Sequence, residues 1–191
     1  MLVAVRRMAV FLVILANVAV AVLIWNLRPD GPDARSVVPD SDPEWSRLDA
    51  QGRCDQALQD VSHPGSWPVR CRWRQPGEMF QGQAYPPPKG PPPYDEPRVE
   101  IYVSETQSRG QVANAIAHEL GHMHHTREPT FAVADWLAAR GLPAGTPPEV
   151  WLEDYAEVFA ALFSPPNDAW RAPTPRPTPE ALASLKARFF S

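Results

Sequence analysis

The sequence predicts a small α+β domain that follows one N-terminal transmembrane helix. The segment RVEIYVS at residues 98–104 alternates apolar and polar side chains, which is typical of a half-buried strand. The segments after it carry helix start signals and apolar residues at helical spacing. A continuous apolar run at residues 8–25 predicts the membrane helix.

The N-terminal segment begins with Arg6 and Arg7, and residues 8–25 then contain one polar side chain, Asn17. As a helix this run is about 27 Å long, close to the thickness of the hydrocarbon core of a bilayer. Because the arginines precede the run, we expect a single-pass membrane protein with its N terminus in the cytoplasm and its C-terminal part outside. The alternative is a signal peptide cleaved near Ala19–Ala21, which would make the chain a secreted protein.

The composition excludes some partners and reduces the size of the expected core. With 18 Lys and Arg against 22 Asp and Glu, and no basic run, we expect no nucleic-acid partner. Of the 24 prolines, 13 lie at residues 85–97 and 164–180, and such tracts favour extended polyproline II structure. We therefore expect spacers or surface straps there.

The two cysteines, Cys54 and Cys71, predict a disulfide, because the chain is expected to reach an oxidising compartment. A pair of metal ligands is the alternative, although the spacing lacks the CxxC form of a zinc ribbon. The chain then divides into four predicted parts, namely a membrane anchor at 1–27, a stalk at 28–47, a disulfide-containing and Pro-rich region at 48–97, and a compact domain at 98–191.

Helices are predicted after the strand. Ser108 and Gln111 form a capping box, so the first of these helices should begin near Arg109. The later helices are predicted from the cap Thr130 to Gly141, from the cap Thr146 to about Phe163, and over residues 179–190.

The first of these helices contains HELGH at residues 118–122. His118 and His122 are four residues apart, so they differ by about 40° around the helix axis and both can reach one metal ion. Glu119 lies beside the first histidine, where it can act as a general base in the HExxH pattern. Zinc suits imidazole ligands and can activate a water molecule at an open site. The alternative is an ordinary helix with solvated histidines.

A catalytic zinc site needs a third protein ligand. The pattern HExxHxxGxxH does not continue here, because His125 and Glu128 stand at its last two positions. In WLEDYAEVFAALF at residues 151–163, Glu153 and Glu157 lie four apart beside an apolar stripe. We predict that Glu153 binds the ion and that Glu157 orients a ligand histidine. Glu128 is the alternative third ligand.

Further polar side chains are weaker candidates. Asn114, one turn before His118, is expected either to face the substrate or to hold a hydrogen bond behind the metal ligands. Tyr102 and Tyr155 could stabilise an oxyanion, although Tyr155 is expected to pack in the core. His124 is expected to be solvated and His125 to lie at the cleft edge or the helix end. The polar edge of the predicted strand could pair with an extended peptide.

HELGH followed by E-x-x-A-E-x-F-A at residues 153–160 resembles the gluzincin metallopeptidases. Over residues 98–166 the pattern is also similar to the ImmA/IrrE-type peptidases. The resemblance implies a zincin-like catalytic domain with short strands, an active-site helix and a glutamate helix. It implies that Zn²⁺ is bound by His118, His122 and Glu153, that Glu119 is the general base, and that Glu157 supports a ligand.

These features together predict a membrane-anchored extracytoplasmic zinc metallopeptidase that hydrolyses a peptide or protein substrate. The alternative is a non-catalytic zinc-binding envelope protein that uses the fold and the proline tracts to recruit partners. Glu119 separates the two, because a protein that only binds zinc gains little from a carboxylate at that position. A cytoplasmic regulatory peptidase is a further alternative, against which the apolar run at residues 8–25 argues.

Overall fold

The structure is a computed structural model that describes residues 43–62, 67–78, 81–86, 96–127, 131–166 and 170–190. The predicted membrane anchor, most of the stalk, Glu128 and Thr130 lie outside the described residues. Within the described ranges, no helix is both long and apolar enough to cross a membrane.

The described residues form a small α+β domain, which is the class that the sequence predicts. Its elements in chain order are α1 Pro43–Arg47, α2 Ala50–Leu58, β1 Val69–Trp73, β2 Gly82–Tyr85, β3 Arg98–Val103, α3 Arg109–Arg127, α4 Val133–Arg140, α5 Pro148–Phe163 and α6 Pro179–Phe189.

The three strands form one sheet in the order β1-β3-β2. β3 runs parallel to β1 and antiparallel to β2. Val99, Ile101 and Val103 are fully buried, which confirms the predicted alternation. Because β3 has a neighbour on each side, the prediction that its own edge receives a peptide is wrong. β2 is instead an outer strand of the described sheet.

The predicted boundaries at residues 47/48 and 97/98 do not separate folded units. One compact unit runs from Val38 to Ser191. The sheet joins β1 and β2, which precede residue 98, to β3, which follows it. Within the predicted stalk, Trp45 of α1 is buried and donates a hydrogen bond to the Gln107 carbonyl at 3.0 Å. The boundary at 97/98 falls inside the sheet because β3 is the central strand and both of its neighbours, β1 and β2, come from residues before 98.

Cys54 of α2 and Cys71 of β1 are joined as a disulfide, with their Cα atoms 6.4 Å apart. The Gln51 side chain adds a second link, because its oxygen accepts a hydrogen bond from the Cys71 N–H at 2.9 Å. Together these contacts attach α2 to the sheet beside β1.

Capping determines where the site helix begins. The Ser108 N–H donates to Gln111 Oε1 at 2.9 Å, and the Gln111 N–H donates to Ser108 Oγ at 3.3 Å. The predicted capping box is therefore confirmed, and α3 begins at Arg109.

The ends of the next two helices are set by Gly and Pro. α4 begins at Val133 with Ala132 at the N-cap, so the predicted cap Thr130 is wrong. It ends at Arg140, and its C-cap Gly141 lies in the left-handed region, as predicted, with φ of 66°.

α5 begins at Pro148 with Pro147 at the N-cap, so the predicted cap Thr146 is wrong. The Thr146 hydroxyl donates instead to the Pro143 carbonyl at 2.7 Å. Two consecutive prolines fix the entry to the helix without a side-chain cap.

Candidate metal centre

Helix α3 carries HELGH along its packed side. His118 and Glu119 each keep 9% of their surface exposed, and His122 is half-buried. The helix lies against the sheet and also against α5. The predicted pair His118 and His122 is therefore presented at a junction between two helices rather than to open solvent.

Gly121 lets α5 approach α3 closely. A Cβ atom built on Gly121 would lie 2.8 Å from Ala156 Cα and 2.9 Å from Phe159 Cβ. Real Cβ atoms avoid such short contacts, so any side chain here would push the two helices apart. The glycine between the two histidines thus brings Glu153, one turn before Ala156 on α5, within reach of them.

The nitrogen and oxygen atoms of His118, His122 and Glu153 converge on one point. The two Nε2 atoms are 3.2 Å apart. The Glu153 carboxylate reaches His118 Nε2 at 3.4 Å and His122 Nε2 at 3.5 Å. Ligand atoms about 2.0–2.2 Å from one tetrahedral ion lie about 3.3–3.6 Å from each other. The three side chains therefore fit the coordination shell of a zinc ion.

Glu157 lies behind His118, as predicted. Its Oε1 atom is 3.1 Å from His118 Nδ1, and the side chain is 2% exposed. The two atoms are at ion-pair distance without regular hydrogen-bond geometry, and neither has a hydrogen-bonding partner among the described residues. A carboxylate in this position favours the tautomer that keeps the proton on Nδ1 and leaves the Nε2 lone pair free for a metal ion.

The electrostatics of the cluster favour a positive charge. Burial lowers the pKa of His118, but its contacts with Glu153 and Glu157 outweigh burial and raise that pKa to about 10. Burial lowers the pKa of His122 to about 4, and the nearby charge of His118 acts in the same direction. Burial opposes ionisation of Glu153, yet its contact with His118 prevails and lowers its pKa. A bound cation would take the place of the proton on His118 Nε2, the nitrogen that faces His122 and Glu153.

Glu119 lies beside the cluster and faces β2. Burial raises the pKa of Glu119 to about 7, against the opposing influence of the His118 charge. The Ala84 backbone N–H on β2 also acts to lower that pKa, because it favours the ionised carboxylate. A group that changes protonation near neutral pH beside a metal site has the property that a general base needs.

The remaining polar side chains that the sequence suggests for the site make other contacts. Asn114 donates to Ser164 Oγ at 3.3 Å, which ties α3 to the end of α5 rather than to a ligand. His124 is not solvated as predicted: its Nδ1 is 2.8 Å from the Tyr155 hydroxyl. Tyr155 is fully buried, as expected. His125 packs edge-on against Trp151.

Tyr102 lies on the far side of the sheet from the histidines. It is largely buried under the Arg72 guanidinium, which lies 4.1 Å from the centre of the ring. Its neighbours Ile101 and Val103 point to the opposite, helix-covered face. Tyr102 is therefore not an oxyanion-stabilising group at this site.

Arg171 and Gly82 belong to the site, but the sequence did not point to either. The positive charge of Arg171 favours the ionised forms of both Glu119 and Glu153. Arg171 is half-buried and forms no ion pair with a described residue. It lies within the tract at 164–180 that the sequence predicts to be a spacer, and Gly82 lies far from HELGH along the chain. No local pattern marks either residue.

Comparisons with known proteins do not extend this description. No protein-family model matches the chain, and neither the curated proteins nor the solved structures contain a match.

Proposed function

We propose that this protein is a zinc metallopeptidase that hydrolyses peptide bonds, with Glu119 as its general base. One observation carries the proposal. Ligand atoms of His118, His122 and Glu153 all lie within 4.8 Å of one another, directly beside a buried carboxylate whose pKa burial raises to about 7. The spacing suits the ion, and the carboxylate suits the proton transfer that hydrolysis requires.

Each residue has a role in this mechanism. When bound, zinc would activate a water molecule and polarise the carbonyl of the scissile bond. Glu119 would accept the proton of the attacking water and pass it to the leaving amine. Glu157 would hold the Nδ1 proton of His118, so that the Nε2 lone pair stays directed at the ion.

An extended peptide would pair with β2, whose outer edge lies beside Glu119. Tyr102 N–H donates to the Gln81 carbonyl at 2.8 Å, so ladder bonds to β3 fall at residues 81, 83 and 85. The backbone groups of Gly82 and Ala84 consequently point away from β3. The Ala84 N–H lies near the Glu119 carboxylate. The remaining outward groups on this edge would be open to strand addition by the substrate.

We further propose that residues 8–25 anchor the protein in the cell membrane and that the metal site lies outside the cytoplasm. Support comes from the apolar run with its preceding arginines. The disulfide between Cys54 and Cys71 adds independent support, because disulfides persist in oxidising compartments.

The rival reading is a zinc-binding protein without catalysis. Burying a carboxylate is unfavourable, and a protein that only binds metal has no use for Glu119 beside its ligand set. Hydrolysis gives that burial a purpose, because it brings the pKa of Glu119 close to neutral pH.

The test is hydrolysis of a defined peptide mixture by the full-length, zinc-loaded chain, followed by mass spectrometry. Wild type should cleave peptides, and Glu119→Gln should cleave them about 10²–10⁴-fold more slowly with the same zinc content. Glu149→Gln is the matched control, because Glu149 lies exposed in the first turn of α5. No cleavage by the zinc-loaded wild type, or equal cleavage by Glu119→Gln, would contradict the proposal.

A further inference from the structure

Strand β2 has an unusual contact with Glu119. A Cβ atom built on Gly82 would lie 2.7 Å from Glu119 Cγ and 2.9 Å from Glu119 Oε1. It would also lie 3.0 Å from the Glu100 carbonyl oxygen on β3. Any side chain at Gly82 would therefore occupy the space that the Glu119 side chain now fills.

The backbone conformation does not explain why glycine stands at this position. Among the described residues, the glycines with positive φ are Gly77 and Gly141, and Gly82 is not one of them. Gly82 therefore adopts a conformation open to any L residue. The requirement is for space, and the group that needs the space is Glu119.

A second contact comes from the same strand. Gly82 and Ala84 lie opposite Ile101 and Val99, whose buried side chains face the helices. Gly82 and Ala84 share that face, and the outward N–H of Ala84 lies near the Glu119 carboxylate, whose ionised form it favours. Strand β2 thus has no side chain at Gly82 and places a backbone N–H near Glu119 two residues later, at Ala84.

We propose that β2 is a positioning element for the general base, in which Gly82 makes room for Glu119 and the Ala84 N–H fixes the direction of its carboxylate. This inference rests on the proposed function. A free glutamate side chain explores several rotamers, and holding one of them lowers the entropy cost of reaching the reactive geometry. Gly82 and Ala84 act through Glu119 and need not touch the substrate.

The kinetic test is Gly82→Ala in the full-length chain. The methyl group should displace the Glu119 carboxylate, so kcat should fall about 100-fold while KM and zinc content stay at wild-type values. Gly110→Ala is the matched control, because a Cβ there would meet nothing within 4 Å. Wild-type kcat in a folded Gly82→Ala variant would overturn the proposal, as would a change in KM alone.

A second test does not depend on activity. Amide hydrogen exchange would be measured residue by residue in the zinc-free chain. The Ala84 amide has no partner on β3, so its protection should come from Glu119 and its exchange should accelerate about tenfold in Glu119→Ala. The amides of Gln83 and Tyr85, which bond to β3, are internal controls and should change little.

The two tests separate failure of this inference from failure of the proposed function. Faster exchange at Ala84 alone in Glu119→Ala would support the positioning contact even if no peptide were cleaved. Equal exchange at Ala84 in wild type and Glu119→Ala would overturn the proposed positioning role of β2, even if the protein proved to be a peptidase.

Discussion

Two neighbouring carboxylates on α5, Glu153 and Asp154, have opposite surroundings. Asp154 is fully buried and accepts hydrogen bonds from Arg140 at 2.8 Å to each of its oxygens. Trp136 Nε1 and the Thr174 hydroxyl also donate to it. Its negative charge is matched by a guanidinium and its oxygens are satisfied, which is the pattern of a structural ion pair.

Glu153 lies on the other side of the same helix, in a cluster with an excess of negative charge. It meets His118 and His122, and Glu119 and Glu157 lie close by. The nearest basic groups are imidazoles, which are neutral when they bind metal. Within the described residues, Asp154 is therefore a carboxylate with a matched counter-charge, whereas Glu153 is a carboxylate whose charge a bound cation could match.

The largest expected effect is the loss of stability when Asp154, the carboxylate paired with Arg140, is removed. Asp154→Ala should lower the free energy of unfolding by about 3–5 kcal/mol, because it leaves the buried Arg140 guanidinium without its counter-charge. Denaturant unfolding of the full-length chain would measure it. Glu149→Ala, at an exposed position of α5, should cost less than about 0.5 kcal/mol. Equal losses in the two variants would contradict the structural role of Asp154.

Glu153 should instead affect how strongly zinc stabilises the chain. Zinc at about 100 times its dissociation constant should raise the free energy of unfolding of the wild-type chain by about 2.7 kcal/mol. Because Glu153 is one of the three proposed ligands, Glu153→Ala should show a much smaller increment at the same zinc concentration. An unchanged increment in Glu153→Ala would show that the zinc is bound elsewhere.

A smaller effect is expected where α3 and α5 meet. Gly121→Ala should destabilise the chain by about 1–3 kcal/mol, because the added methyl would overlap Ala156 and Phe159. It should also weaken zinc binding by moving Glu153 away from the histidines. Thermal unfolding and zinc titration of Gly121→Ala and Gly110→Ala would show whether the effect depends on the helix contact.

The last expected effect is the pH dependence of the zinc-free chain, and the prediction concerns its sign. The folded-state pKa of His118 is raised to about 10 from an ordinary value of 6.5. The stabilisation from protonated His118 should be fully present below pH 6.5 and should be lost as pH rises through 10. Unfolding free energies between pH 6 and 10 in wild type and His118→Asn would test the sign. A wild-type chain that gains stability relative to His118→Asn over this range would contradict it.

The sequence predicts those parts of the site that depend on local spacing. The capping box at Ser108 determines where α3 begins, and helical periodicity then places His118 and His122 on one side. The same spacing rule on α5 separates Glu153 and Glu157 from Asp154. Such relations need no knowledge of how the elements pack.

Relations between distant segments could not be predicted in this way. Gly82 contacts Glu119 only because β2 pairs antiparallel with β3 and packs on α3. The order of strands in a sheet cannot be predicted from local periodicity. Arg140 and Thr174 reach Asp154 from separate segments for the same reason. The predicted boundary at residue 97/98 followed a proline tract, whereas strand pairing joins the segments on either side of it.

The central claim is that His118, His122 and Glu153 bind zinc, and its most direct test is metal content. Zinc per chain would be measured by elemental analysis on the full-length wild type, Glu153→Ala, Glu149→Ala and Glu128→Ala. We predict one zinc per chain in wild type, Glu149→Ala and Glu128→Ala, and loss or marked weakening only in Glu153→Ala. No zinc in a folded wild-type chain, or zinc that depends on Glu128 instead of Glu153, would contradict the account.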